Sequence, residues 1–204
     1  MTPQANAFSR LNATIRVCVD DLLPRADAPA RAELDHLLAH TATPASSARR
    51  AAAANPAAQR HLPYILAEAG PCAAVTAALA PVWQDMNWHY HYPERDDAPG
   101  LATDIAFAEL VGPEAPLAAP DIRMGFTLIG PHIVYPAHAH PAQELYIVLS
   151  GRALWTQSGR PSWRDPGAVI VHASEEPHAM QTGAEPLLAL YSWRGAIDAP
   201  ARYV

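Results

Sequence analysis

A chain of 204 residues makes one ordinary domain with room for an extension, long enough to bury roughly two-thirds of its unfolded surface. Half of its residues are hydrophobic and only 17% are charged, which excludes a disordered chain; the net charge of -6 argues against a nucleic-acid partner, because phosphate neutralisation needs a basic face. All fourteen cationic side chains are arginine and none is lysine, which excludes imine chemistry and the phosphate-binding lysine of a P-loop, while ten histidines turn attention to imidazole and metal chemistry.

The opening stretch, MTPQANAFSRLNATIRVCVDD, has no positive region followed by an apolar run, and no window reaches eighteen apolar residues. A cytoplasmic protein with no membrane partner is expected. Cys18 and Cys72 fit no CxxC spacing and read as reduced, small core residues. Residues 5 to 80 are rich in Ala, Leu and Arg, with apolar positions at helical spacing, as in Ala32, Leu34, Leu37, Leu38 and Ala39, or Leu62, Ile65, Leu66 and Ala69. This predicts an N-terminal helical segment, residues 1–80, of two to five helices packing on the domain that follows. Pro24, Pro44, Pro56, Pro63 and Pro71 punctuate it, so each helix is expected to run about ten to fifteen residues. Residues 41–57 are expected to form an exposed helix or a linker, with Ser46 or Ser47 as N-cap for 48–54.

Beyond residue 80 the aromatic and β-branched residues gather. Short runs such as MGFTLIG, HIVYP, ELYIVLSG, RALWTQSG, GAVIVH and LLALYSW are bounded by Gly, Pro or Ser about every eight to twelve residues, the pattern of an all-β sandwich or barrel. Residues 81–204 are therefore read as a metal-binding β-barrel, and the whole chain as α+β, mainly β. The run WHYHYPERDD, residues 88–97, places His89 and His91 two apart near Glu94, but with no third imidazole at a matching spacing it is expected to alternate along an edge strand.

The chemistry concentrates in residues 130–151, GPHIVYPAHAHPAQELYIVLSG. His138 and His140 are two apart, so on a strand both imidazoles leave the same face, and Glu144 and Tyr146 share that parity in the next run. His178, in DPGAVIVHASEEPHAM, adds a third imidazole. Three histidines and one carboxylate form a site for one divalent first-row transition metal (zinc, iron, manganese, nickel or cobalt), with bonds of about 2.0–2.2 Å expected for zinc. His132 and His172 fall off this pattern and are read as structural.

The spacing His138-x-His140-xxx-Glu144-xxxxxx-Gly151 resembles the first cupin motif, and Gly167 followed eleven residues later by His178 resembles the second. That resemblance implies a double-stranded β-helix, or jelly roll, with the metal inside. A helical segment joined to a core reading YPAHAHPAQELYIVLSG, with Tyr135 three before the first histidine and Tyr146 two after the glutamate, is similar to the cupin dimethylsulfoniopropionate lyases of the DddQ type. The chain departs from the general motif at Gly130, eight rather than six residues before His138, and at Ala173 and Glu175, which stand where the second motif has proline and glycine. None of these departures falls on a ligand position.

The resemblance implies a carbon–sulfur lyase (dimethylpropiothetin dethiomethylase) that cleaves a small sulfonium substrate by β-elimination to dimethyl sulfide and acrylate. Its metal would neutralise the substrate carboxylate. Tyr146 would be the general base, with Tyr135 orienting substrate or serving as the base itself. A sulfonium cation is best met by aromatic faces; Trp193 and Tyr191 on the last strand are the candidates, ahead of Trp155 and Trp163, and the resemblance favours Trp193. The helical segment would cover the barrel mouth and exclude water. Two other classes stay open: another cupin metalloenzyme, such as a small-acid or thiol dioxygenase or an isomerase, and a non-catalytic ligand-binding cupin. The exposed edges of a jelly roll predict a homodimer.

Overall fold

Helix α1 (Pro3–Leu22) leads through a 3-10 turn, Leu23–Arg25, to α2 (Ala28–His40). The structure, a computed structural model, describes residues 3–42, 45–46, 52–53, 55–68, 70–93 and 100–204. Strand β1 (Ala45–Ser46), α3 (Pro56–Ile65), α4 (Ala73–Leu79), the turn Trp83–Asp85 and α5 (Leu101–Asp104) follow. Side-chain caps fix two starts. The Asp27 carboxylate accepts from the Ala30 N–H, and the Asn55 side chain accepts from the Ala57 and Ala58 N–H groups, with Pro56 beginning α3.

Helix lengths differ from the expected range: α1 has 20 residues and α4 has 7. Pro63 lies inside α3, two residues before its end, where the missing N–H removes a single intrahelical bond. The expected helix or linker over 41–57 is also corrected in part. Ser46 belongs to β1, which pairs with Leu117, and Ala53 bridges Asn87; the remainder of 48–54 lies outside the described residues apart from Ala52, which is not helical.

Eleven further strands complete the fold: β2 (Ile105–Gly112), β3 (Leu117–Ala118), β4 (Arg123–Ile129), β5 (Val134–Ala139), β6 (Gln143–Ser150), β7 (Ala153–Gln157), β8 (Arg160–Arg164), β9 (Val169–His172), β10 (His178–Thr182), β11 (Leu187–Arg194) and β12 (Arg202–Tyr203). They form two sheets, ordered β1-β3-β2-β4-β11-β6-β9 and β12-β5-β10-β7-β8. All pairs are antiparallel except β2 with β3. This is the cupin jelly roll, preceded by helices.

Strand β6 shows why the helices and the barrel cohere. Seven of its eight residues are buried, so its apolar run serves both faces. Leu145, Ile147 and Leu149 point outward and join Leu188, Leu190, Phe126 and Leu128 in a cluster with Leu11, Ile15, Leu34, Leu37, Leu62 and Ile65 of the helices. Tyr146 and Val148 point inward and pack with Ile129, Tyr135, Trp155, Ile170 and Met180. The helices thus cover the outer face of the larger sheet, because that is where the apolar surface lies. Among the described residues none of α1 to α4 lines the cavity at the barrel mouth, which corrects that expectation.

One polar clamp ties α2 to the sheet. Glu33, buried at 4% exposure, accepts from Nε and Nη2 of Arg194 at 2.7 Å each, and the same Nη2 donates to the Gln143 side chain at 2.8 Å. Arg194 and Gln143 are cross-strand neighbours on the rung beside Trp193 and Glu144.

The two motif glycines are required by backbone conformation. Gly151 (φ +72) and Gly167 (φ +88) are left-handed, and a Cβ on Gly151 would overlap the Pro186 carbonyl oxygen. Glu175, where the second motif has glycine, also takes a left-handed conformation (φ 63), one that glycine adopts more readily. Gly151→Ala should destabilise the fold by about 2 kcal/mol or more, read as a lowered urea midpoint; an unchanged midpoint would contradict the required close approach.

Candidate metal centre

Three strands deliver the site. Strand β5 ends at Ala139 and carries His138, with His140 just beyond; β6 carries Glu144 and Tyr146; β10 begins at His178. His178 pairs with His138 across β5 and β10. His138, His140, Glu144 and His178 are each exposed by no more than 2%. On a regular strand Tyr135 would face away from His138, three residues on. A bulge resolves this: His178 pairs with His138 but Met180 pairs with Tyr135, so β5 holds one extra residue and both side chains turn inward. Their rings stack at 4.1 Å.

The donor atoms of His140, Glu144 and His178 all lie within 4.8 Å of one another. His138 stands outside that trio, its ring centroid 4.0 Å from that of His178 and 6.5 Å from that of His140. The imidazole tautomers follow from their partners. Nδ1 of His138, His140 and His178 lies 2.9 Å from the carbonyl oxygens of Pro136, Ala142 and Glu176 respectively. A carbonyl only accepts, so each Nδ1 carries the hydrogen, and in the neutral ring each Nε2 presents a lone pair.

Two of those lone pairs meet one carboxylate. Nε2 of His140 is 2.9 Å and Nε2 of His178 is 3.1 Å from Oε2 of Glu144, yet Nε2 of His178 makes no aligned hydrogen bond. Neutral nitrogens and an anionic oxygen at such distances repel unless a proton or a metal cation lies among them. Burial alone would raise the Glu144 carboxyl, but His140 and His178 outweigh it and hold the group well below the usual carboxylate range. His140 is raised in turn, Glu144 outweighing burial. The residues present therefore fit a divalent cation, and backbone carbonyls on Nδ1 are the usual way of fixing a ligand histidine.

Trp193 completes the carboxylate's shell. Its Nε1 donates to Oε1 of Glu144 at 2.7 Å, across the rung that pairs these residues on β11 and β6, and its ring lies 4.3 Å from that of His140. The sequence suggested an aromatic wall at this position; its hydrogen bond to the carboxylate was not foreseen. Tyr191 pairs with Tyr146 on the adjacent rung. Trp155 lies in the barrel core, donating to Nε2 of His172 at 2.9 Å, and Trp163 is 49% exposed beneath the Arg152 guanidinium, so neither reaches the cavity. His172 is fully buried, stacked on His178 at 3.9 Å. His132 takes a left-handed turn (φ 58).

A cavity of about 230 Å³ opens onto these residues. Tyr135, Tyr146, Tyr191, Trp193, His138, His140 and Glu144 line it together with His91, Tyr92, Phe107 and the loop 197–201. Its wall comes from segment 89–92 and from the C-terminal loop, with no lining residue from α1 to α4. Arg123 ties that loop down, donating from Nε to the Ile197 carbonyl and from Nη2 to Asp198, while its Nη1 donates to Glu109. Residues 88–93 form no edge strand: His89 makes a bridge with Phe107, and Glu94 lies outside the described residues. Tyr92, in the same run, lines the cavity although no local pattern marks it. Its hydroxyl accepts from the Tyr135 hydroxyl at 2.7 Å, and only long-range pairing could have disclosed it. Burial pushes the Tyr135 and Tyr146 hydroxyls well above the ordinary phenol value.

Fold and site together define a cupin with a buried histidine–carboxylate cluster in a tyrosine-walled cavity. The sequence profile of the dimethylsulfoniopropionate (DMSP) lyase family matches residues 29–189, and the chain belongs to that family. A putative DMSP lyase, DddL, of Cereibacter sphaeroides is 32% identical over 133 residues, 64% of this chain and 55% of the relative. DMSP lyase DddQ of Ruegeria pomeroyi is 36% identical over 90 residues, 44% of this chain and 45% of the relative. The chain thus spans about half the length of the curated relatives it matches. The crystal structure of DddQ from Ruegeria pomeroyi DSS-3 superposes with a TM-score of 0.78 at 23% identity, covering 98% of this chain and 96% of that one. A chain from the crystal structures of the DMSP lyases RdDddP and RnDddQII gives 0.77 at 24% identity, with 98% and 99% coverage. These likenesses establish the fold. No helix is long and apolar enough to cross a membrane among the described residues.

Burial first, and then the neighbouring His178 imidazole, lower His172 to about 3. The unfolded imidazole takes its proton near pH 6.5, so between those values the unfolded chain binds one more proton and stability falls as pH falls, by about 1.4 kcal/mol per pH unit from this group. His140, raised, adds no opposing slope below its unfolded value. Urea midpoints in the presence of chelator should therefore drop from about pH 6.5 to 5; a flat or rising midpoint would contradict a buried neutral His172.

Proposed function

We propose that the protein is a metal-dependent DMSP lyase that releases dimethyl sulfide and acrylate by β-elimination. The observation that carries this reading is the convergence of His140, Glu144 and His178 beside two buried tyrosines in a small cavity, in a chain of the DMSP lyase family. His140, Glu144 and His178 would hold the metal, with His138, which lines the same cavity, as a fourth imidazole beside them. A divalent cation there would supply a Lewis acid to the substrate carboxylate and favour an ionised phenol beside it.

Each protein group then has a task. Tyr146, on the ligand strand two residues from Glu144, is proposed as the base that takes the proton from the carbon next to the carboxylate. Tyr135 is proposed to orient substrate, its hydroxyl fixed by Tyr92 at 2.7 Å and its ring by stacking on His138. Trp193 and Tyr191 line the cavity and are proposed to face the sulfonium, a contact of about 1–2 kcal/mol. The Trp193 N–H also holds Glu144 in its liganding orientation. No lysine or unpaired arginine lines the cavity, so the substrate carboxylate has no protein cation to compete for it.

Three measurements test this. Purified protein supplied with one equivalent of a first-row metal should release headspace dimethyl sulfide and stoichiometric acrylate from DMSP; background release with every metal tried would refute the lyase reading. Tyr146→Phe should abolish turnover with metal content intact, whereas full activity would move the base to Tyr135. Trp193→Phe should weaken metal affinity by about 10- to 100-fold in competition with a chelating dye, through loss of the bond to Glu144; unchanged affinity would assign Trp193 to the substrate alone.

A further inference from the structure

We propose that Cys18 and Cys72 form a site of reversible oxidation, closing to a disulfide that joins α1 to the start of α4. The two sulfurs stand 3.8 Å apart although 54 residues separate them in sequence. Cys18 is partly exposed on α1, and Cys72 is buried at the residue preceding Ala73, where α4 begins. A bond of about 2.05 Å requires the sulfurs to approach by under about 2 Å. They are the only cysteines in the chain, so no rival pairing exists within it.

The surroundings fit a reactive pair rather than inert packing. Both cysteines are among the residues lining a surface cavity of about 770 Å³, bounded also by Asp21, Arg25, Pro71 and Gly167, with Cys18 partly exposed and Cys72 at 3% exposure. The Cys18 thiol donates to the Cys72 sulfur, while the Gly167 backbone N–H nearby donates to the Val148 carbonyl at 2.8 Å. The contact from Cys18 favours the thiolate at Cys72 and outweighs burial, while the Cys18 thiol, held by that sulfur and partly buried, keeps its proton. With hydrogen peroxide as oxidant, the Cys72 thiolate attacks one peroxide oxygen and the O–O bond breaks, giving a sulfenic acid and, after proton uptake, water. The Cys18 sulfur then attacks the sulfenic sulfur, forming the S–S bond and expelling a second water as the thiol proton leaves. The two thiols are oxidised together by two electrons and one peroxide is reduced. None of this chemistry draws on the metal centre. The sulfurs lie on the outer side of the larger sheet, with Cys72 3.8 Å from the Val148 carbonyl of β6.

The full-length protein is treated with a small excess of hydrogen peroxide, alkylated with N-ethylmaleimide and weighed intact. Loss of about 2 Da with no alkylation, reversed by dithiothreitol, is expected, together with a monomer on a non-reducing gel. The oxidised protein should melt several degrees above the reduced one, because the link constrains the unfolded chain. Cys18→Ser and Cys72→Ser should each abolish the mass loss and the melting shift. Two thiols still alkylated after peroxide, oxygen adducts in place of the mass loss, or a disulfide only between chains would each overturn the proposal. The mass measurement on the wild type requires no variant to fold.

Discussion

Glu144 carries a negative charge at 1% exposure in a chain without lysine. A buried carboxylate costs several kcal/mol unless it is matched, and much of the local structure around it performs that matching. His140 and His178 converge on Oε2 and Trp193 donates to Oε1. Each imidazole is oriented by a carbonyl two residues away on its own chain segment, so the strand ends at β5 and β10 set tautomer and ring direction before any cation is considered. Burial thereby concentrates charge at the point where the proposed metal would bind.

The larger sheet does two jobs. Its inward residues line the cavity, and its outward residues form the floor on which the helices pack. The clamp from Glu33 to Arg194 and Gln143 lies on the rung next to the one bearing Trp193 and Glu144. Helical segment and metal site therefore share a strand pair without sharing a surface, while access is governed elsewhere, by residues 89–92 and by the loop that Arg123 fastens.

What could be read in the sequence was what local periodicity encodes. His140 and Glu144 follow from alternation, and His178, Gly151 and Gly167 from motif spacing, the two glycines standing at positive φ in the structure. Other features depended on non-local geometry. Tyr135 reaches the His138 face only through a bulge, an irregularity that residue identity does not announce. Simple parity could not separate His138 from the donor trio, since same-face residues still differ by several ångströms in position. Tyr92, the C-terminal loop and the pairing of Cys18 with Cys72 arise from chain segments far apart in sequence. The helices were legible as helices, but their place on the outer sheet face was fixed by the apolar odd positions of β6, which periodicity alone assigns to neither side.

Central to the account is that Glu144 and the Nε2 atoms of His140 and His178 surround one metal ion. X-ray absorption at the zinc edge, on protein loaded with one equivalent of zinc, tests this most directly. The account predicts a light-atom shell at about 2.0–2.1 Å with the outer-shell scattering of at least two imidazoles, the latter diminished in His140→Ala and His178→Ala. A shell without imidazole scattering, or one unaltered by both substitutions, would contradict it.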